Sequence, residues 1–176
     1  MPQIGKRDQP PNIYIGIDPG ASGGIAVIKG KVVEACAMPA TEADIWAEIS
    51  RHYDLAAPGI YAVIERNTGY VGGYGNKSNG KLGNPGSAMF KFGRNAGLLT
   101  MALTAAAIPH EEAMPSVWQK AMGLPSRKGA SQREHKNKLK AFAQKLFPVA
   151  VGKITLNTAD ALLIAEYCRR KQEGKL

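Results

Sequence analysis

Three carboxylates stand beside strongly apolar runs of this sequence. Asp18 closes IYIGID just ahead of a Pro-Gly turn, Glu65 closes IYAVIE, and Asp160 stands early in NTADALLIA. Carboxylates at strand ends project from a sheet edge, where ligands bind. Hard oxygen donors on rigid elements suit Mg2+ or Mn2+. Mg2+ keeps several waters and takes few carboxylates plus a substrate phosphate, so a sparse site suffices. Singly, each residue has an ordinary explanation. Asp18 fits a turn, Glu65 a solvated strand end, and Asp160 the favourable end of a helix dipole. Taken together, each lies next to a run that should be buried, where an unpaired carboxylate is costly.

A second group is basic. Between Lys120 and Lys145 lie Lys120, Arg127, Lys128, Arg133, Lys136, Lys138, Lys140 and Lys145, with Glu134 as the one acid. The run supplies most of a formal charge of +9, and the sequence pI is about 9.6. Such a one-sign excess suits a phosphate backbone. A solvated helix face is the plainer explanation, although such faces more often mix signs. A third group lies in residues 67–86, a Gly-, Asn- and Lys-rich stretch with no apolar period. It reads as a long loop. Its Tyr70 and Tyr74 could stack on unpaired bases while Lys77 and Lys81 follow the backbone. An ordinary surface loop is an equal alternative.

The elements that must position these groups read as one mixed α/β layer. Residues 13–18, 25–30 and 31–38 read as three successive strands of an antiparallel meander. A helix follows over 41–54, with Thr41 capping its start and Asp44 three residues on. Strands are expected at 60–65 and 110–114, and helices at about 87–107, 115–122, 131–146 and 156–172. The helix at 87–107 is apolar around much of its circumference, with Ala88, Gly93, Ala96 and Gly97 leaving room for close packing. It is either central to the core or half of a subunit interface.

The chain has the size of one ordinary domain, read as residues 13–176 behind a mobile tail at 1–12. Two cysteines, Cys36 and Cys168, form neither a metal-ligating spacing nor a disulfide framework. No apolar run reaches the roughly 20 residues that span a bilayer, and the first residues lack a signal-peptide core. A cytoplasmic location without membrane contact is expected.

The motifs resemble a known family, the RuvC-type Holliday-junction resolvases. IGIDPGASGGIAVI is similar to their opening strand and turn, AVIERN to the second acidic strand, and TADALLIAEY to the final acidic helix. MFKFGRNAGLLTMAL followed by IPHEEAMPSVWQKAMGL resembles phage and bacterial versions. The resemblance runs in order over about residues 13–170. It implies an RNase H-like fold, a mixed five-stranded sheet with its first three strands antiparallel and helices flanking it. It also implies a homodimeric endonuclease that cuts four-way DNA junctions by two-metal-ion hydrolysis, in a bacterial or phage-infected cell. Asp18, Glu65 and Asp160 would hold Mg2+, with Mn2+ able to substitute. Lys136 or Lys138 would neutralise charge at the cut phosphate, with His135 another candidate. The DNA-binding set would be Tyr70, Tyr74, Lys77, Lys81, Arg127, Lys128, Arg133, Lys136 and Lys138, the loop approaching the junction centre.

One position departs from the pattern. These enzymes often carry a second Asp three residues before the last one, and here that residue is Asn157. On a helix, 157 and 160 share a face, so an amide oxygen could assist without adding charge. Two other functions remain open. A non-catalytic branched-DNA-binding protein of the same fold is favoured by Asn157. An actin-like ATPase domain also opens on an Asp-Gly phosphate turn, but it needs two such domains and a second phosphate loop.

Overall fold

The computed structural model describes residues 13–52, 59–66, 85–125 and 127–176. The expected tail at 1–12 and loop residues Tyr70, Tyr74, Lys77 and Lys81 lie outside them. Five strands form one sheet in the order β3-β2-β1-β4-β5: β1 (Ile13–Asp18), β2 (Gly24–Lys29), β3 (Val32–Ala37), β4 (Ile60–Glu65) and β5 (His110–Ala113). β1, β2 and β3 pair antiparallel, as the meander predicts, whereas β4 joins β1 in parallel and β5 joins β4 in parallel. Helix α1 (Glu42–Ser50) starts at Thr41, whose Oγ1 accepts from Asp44 N at 3.1 Å. Then come α2 (Pro85–Ala105), α3 (Pro115–Ala121), α4 (Gln132–Leu146) and α5 (Ala159–Gln172).

Strand alternation sorts the core into two clusters, one per face of the sheet. Ile13, Ile15, Ile17, Ile25, Val27, Ile60, Ala62 and Ile64 pack against Ile45 and Ile49 of α1 and Leu99 and Leu103 of α2. Tyr14, Ala26, Ile28 and Val63 face the other way, toward α5, α4 and Trp118 of α3. α5 is buried from Ala159 through Cys168, which explains why TADALLIAEY is apolar nearly all round. It lies so close to β1 that a Cβ on Gly16 would come 2.1 Å from Ala165 N and 2.2 Å from Ala161 O. Only glycine permits that approach.

Two elements differ from the sequence reading. A 3-10 helix at Pro148–Lys153 was not expected. α5 begins at Ala159 rather than 156, because Thr155 and Thr158 tie the preceding turn. Thr158 Oγ1 accepts from Thr155 N at 2.9 Å and donates to Lys153 O at 2.9 Å. Hydroxyls that bond the local backbone compete with helix. Among the described residues no helix is long and apolar enough to cross a membrane.

Candidate active site

The positions of Asp18 and Glu65 follow from register. β1 and β4 run parallel with Gly16 opposite Val63 and Ile17 opposite Ile64. One step further sets Asp18 beside Glu65, at the carboxyl ends of the two central strands. Both have the parity of Tyr14 and Val63, so both project to the face that α5 covers. Asp160 sits in the first turn of α5, over the same end of the sheet. Asp18 is close enough to both that its charge acts on Glu65 and on Asp160.

Each carboxylate is held differently. Asp18 is 7% exposed, and its Oδ1 accepts from Gly20 N at 3.1 Å in the Pro-Gly turn. That turn is tied to α2, since Asn95 Nδ2 donates to Pro19 O at 2.6 Å. Gly23 closes against it, and a Cβ there would stand 2.2 Å from Asp18 O and 2.6 Å from its Cγ. Glu65 Oε2 accepts from Trp118 Nε1 at 2.9 Å. Pro115 opens α3 at its first position, which suits its fixed φ, and one turn later Trp118 is fully buried. Asp160 Oδ2 pairs with Lys136 Nζ at 3.6 Å, while its buried Oδ1 has no hydrogen-bond partner among the described residues.

Burial pushes the Glu65 carboxyl up to about 7, and the negative charge of Asp18 adds to the rise while the Trp118 hydrogen bond opposes it. Burial likewise raises Asp160 to about 6, against the pull of Lys136 and with the push of Asp18. A second buried acid on the same helix makes a useful contrast. Glu166 is paired to Arg169 at 2.6 Å and Arg170 at 2.8 Å. Each Glu166 oxygen has an arginine beside it, whereas among the described residues Asp160 has a cation at Oδ2 alone.

Lys136 reaches Asp160 because of how α4 lies. Ser131 and Glu134 close a reciprocal cap at its start, as the helix-start pattern favours. His135, Leu139 and Ala143 then form its buried stripe, and Lys136 sits at the margin of that stripe. Between α3 and α4 opens a cleft of about 840 Å3 whose lining includes Glu65, Asp160, Lys120, Arg127, His135 and Lys136. Lys128, Arg133 and Lys138 are exposed and do not line it. Lys136 is therefore the basic residue brought to the carboxylates, with Arg127 nearby. Asn157 lies in the turn ahead of α5, half-buried. Its backbone oxygen would be 2.9 Å from a Cβ on Gly24, the residue paired with Asp18. The turn reaches the site's edge, but not as a residue within the helix.

Among the described residues no three His, Cys, Asp or Glu side chains converge closely enough to hold one ion as placed. The donor chemistry nevertheless fits a hard divalent cation. The set is all oxygen, two of its carboxyls are held high by burial and by the charge of Asp18, and Asp160 Oδ1 lacks a partner. Sequence reasoning missed Trp118 and did not single out Lys120. The basic run contained Lys120, while nothing local linked an indole to a carboxylate 53 residues away.

No family model matches the sequence, and no curated protein matches it. The solved structures that share its fold include two of RuvC. T. thermophilus RuvC in complex with Holliday junction substrate is 15% identical with a TM-score of 0.58, covering 93% of this chain and 96% of that chain. The Thermus thermophilus RuvC structure is 16% identical with a TM-score of 0.54, covering 93% and 97%. The mixed five-stranded sheet with flanking helices is the RNase H-like fold of those structures, as the sequence motifs imply.

Proposed function

We propose that this chain is a structure-selective DNA endonuclease that resolves four-way junctions by two-metal-ion phosphodiester hydrolysis. The observation that carries the proposal is the meeting of Asp18, Glu65 and Asp160 at one sheet end with a cleft bearing Lys120, Arg127 and Lys136. Asp18, Glu65 and Asp160 would hold Mg2+ or Mn2+, with the amide of Asn157 assisting. Bound divalent ions supply Lewis-acid stabilisation of the phosphoryl oxygens and a more acidic water. The chain's own groups do the rest. Trp118 fixes the orientation of Glu65. Lys136, now pairing with Asp160, is placed to neutralise a phosphate delivered to the same carboxylates. Lys120 and Arg127 extend the positive lining along the cleft, and the exposed Lys128, Arg133 and Lys138 widen the field that draws a polyanion in.

A two-fold substrate calls for a two-fold enzyme. The outer face of α2 is the candidate dimer contact. Phe90 and Met101 are 72% and 61% exposed, and Gly93 and Gly97 between them have open space around them. Light scattering at micromolar concentration is expected to give a dimer. A monomer both with and without DNA rejects this part of the proposal.

A second reading is favoured by Asn157 and by the unclosed ligand set: a branched-DNA-binding protein of the same fold without cleavage. Incubation of a synthetic four-way junction with Mg2+ or Mn2+ separates the two. The endonuclease reading expects paired nicks with 5′-phosphates. Tight, salt-sensitive junction binding with no nick in either metal leaves the binding protein. Absence of both overturns both.

A further inference from the structure

We propose that the cleft between α3 and α4 is a base-reading pocket, in which the nucleobase adjoining the cut phosphate is hydrogen-bonded by Gln119, Gln132 and His135. The inference rests on the nuclease reading above and adds a specificity determinant to it. The three residues line the same cleft as Glu65 and Asp160, so a base held there is within one nucleotide of the reacting phosphate.

Size comes first. A cleft of about 840 Å3 lies within the range of about 300–1,000 Å3 that accepts small organic ligands. One unstacked nucleotide enters such a space, and a duplex does not. Unstacking costs a few kcal/mol for a paired base and least for one already unpaired.

Chemistry comes second. Lys120, Arg127 and Lys136 carry charge but no acceptor, so they suit phosphate and cannot pair with a base edge that needs both donor and acceptor. Gln119 on α3 and Gln132 on α4 face the cleft from opposite walls. Each amide offers donors and an acceptor together, the combination that distinguishes base edges. His135 is 8% exposed, and its buried Nδ1 has no hydrogen-bond partner among the described residues. Burial holds its imidazole below the usual range, and the charges of Arg127 and Lys138 push the same way. A neutral ring offers one donor and one acceptor. The buried Nδ1 lies out of a ligand's reach, so Nε2 is the ring nitrogen left to a base in the cleft. Leu124 and Leu139 add apolar wall for the flat face of the base.

The test uses four-way junctions that carry 2-aminopurine, one position at a time, next to the cut phosphate. Binding in Ca2+ should brighten the probe at one position, as unstacking does, and the Gln119→Ala/Gln132→Ala double variant should lose that response. In a panel with every base at the same position, the unaltered protein should favour one base by about tenfold, the discrimination a good amide–base pair gives. The double variant should reduce the preference to within about threefold. A probe that stays dark at every position, or a double variant with the full preference, overturns the pocket. Failure of every junction to be cut overturns the nuclease reading alone, because the fluorescence response still decides the pocket.

Discussion

The two faces of the sheet are made by alternate residues of the same strands, yet they differ in kind. Under α1 and α2 the buried side chains are wholly apolar: Ile13, Ile15, Ile17, Ile25, Val27 and Ile64 meet Ile49, Leu99 and Leu103. The buried polar and charged residues Asp18, His135, Thr158, Asp160 and Glu166 belong instead to the face under α4 and α5, or to the strand end it covers. The first face holds the fold together by area removed from water. The second also holds carboxylates away from water, and that burial pushes the Glu65 and Asp160 carboxyls up. The opposite layer reaches the site at one point, where Asn95 of α2 holds the turn after Asp18, and otherwise supplies the burial that offsets a charged site.

Residues 17 and 18 bring the contrast to neighbouring positions. Ile17 is fully buried under α1 and α2, and Ile17→Ala should cost about 2–5 kcal/mol of stability, as buried large-to-small changes do. Asp18→Asn should leave the melting temperature unchanged or higher and junction binding intact. It should cut cleavage by at least about 10²-fold, as loss of a group acting on the transition state does. Thermal melts and single-turnover cleavage of both variants check the pair. Full activity in Asp18→Asn would remove Asp18 from the site.

Trp118 is where the two roles meet, since one buried side chain both packs and donates to Glu65. Trp118→Phe keeps most of the packing and removes the donor. Divalent-metal affinity should fall by about 10–100-fold, the usual cost of losing a group that orients a ligand. Of the two tryptophans, Trp46 is exposed. In a Trp46→Phe background, Mn2+ should therefore quench Trp118 emission, and Glu65→Gln should weaken the quenching. Unaltered metal affinity in Trp118→Phe would reduce Trp118 to a core residue.

Proton linkage sharpens the comparison without mutation. Glu65 is raised from 4.5 to about 7 and Asp160 from 3.8 to about 6. Between the ordinary and raised values the folded protein binds more protons than the unfolded chain. These two groups therefore favour the metal-free fold at low pH, and that contribution is lost as pH rises to about 7. Metal binding runs the opposite way, because the ligands must be deprotonated. The rise in melting temperature produced by saturating Mg2+ should therefore grow from pH 5 to pH 8. A Mg2+ effect independent of pH would separate these carboxyls from the metal.

The parts of this site that were legible in the sequence share a cause. Asp18, Glu65 and Asp160 stand beside apolar runs, so strand and helix assignment alone places them at ends of elements. The five strands and their meander were legible for the same reason. Lys136 was one of eight cations in its region, and only the packing of His135, Leu139 and Ala143 chooses it. The indole of Trp118 reaches Glu65 through the joint packing of β4, β5 and α3, which leaves no local signal. The start of α5 was misplaced because Thr155 and Thr158 bond to each other's backbone and hydroxyl groups, a contest that periodicity does not register.

That misplaced start bears on Asn157 and gives the smallest expected effect. Asn157 N donates to Thr155 Oγ1 at 3.2 Å, so its backbone is held by the turn and not by α5. The turn packs at Gly24, across the ladder from Asp18. A side chain there works from the edge of the carboxylate cluster. Asn157→Asp keeps the shape and adds one negative charge, and affinity for hard cations follows ligand charge. The gain at an edge position should be modest, about 3–10-fold in Mg2+ affinity, less than one charge-assisted ligand gives at full contact. Mn2+ tolerates irregular oxygen sites better than octahedral Mg2+, so its gain should be smaller still. Titration of each metal against Trp118 emission, with single-turnover junction cleavage alongside, measures both. Equal affinities in the two proteins would place residue 157 outside the metal's reach and leave Asp18, Glu65 and Asp160 as the whole site.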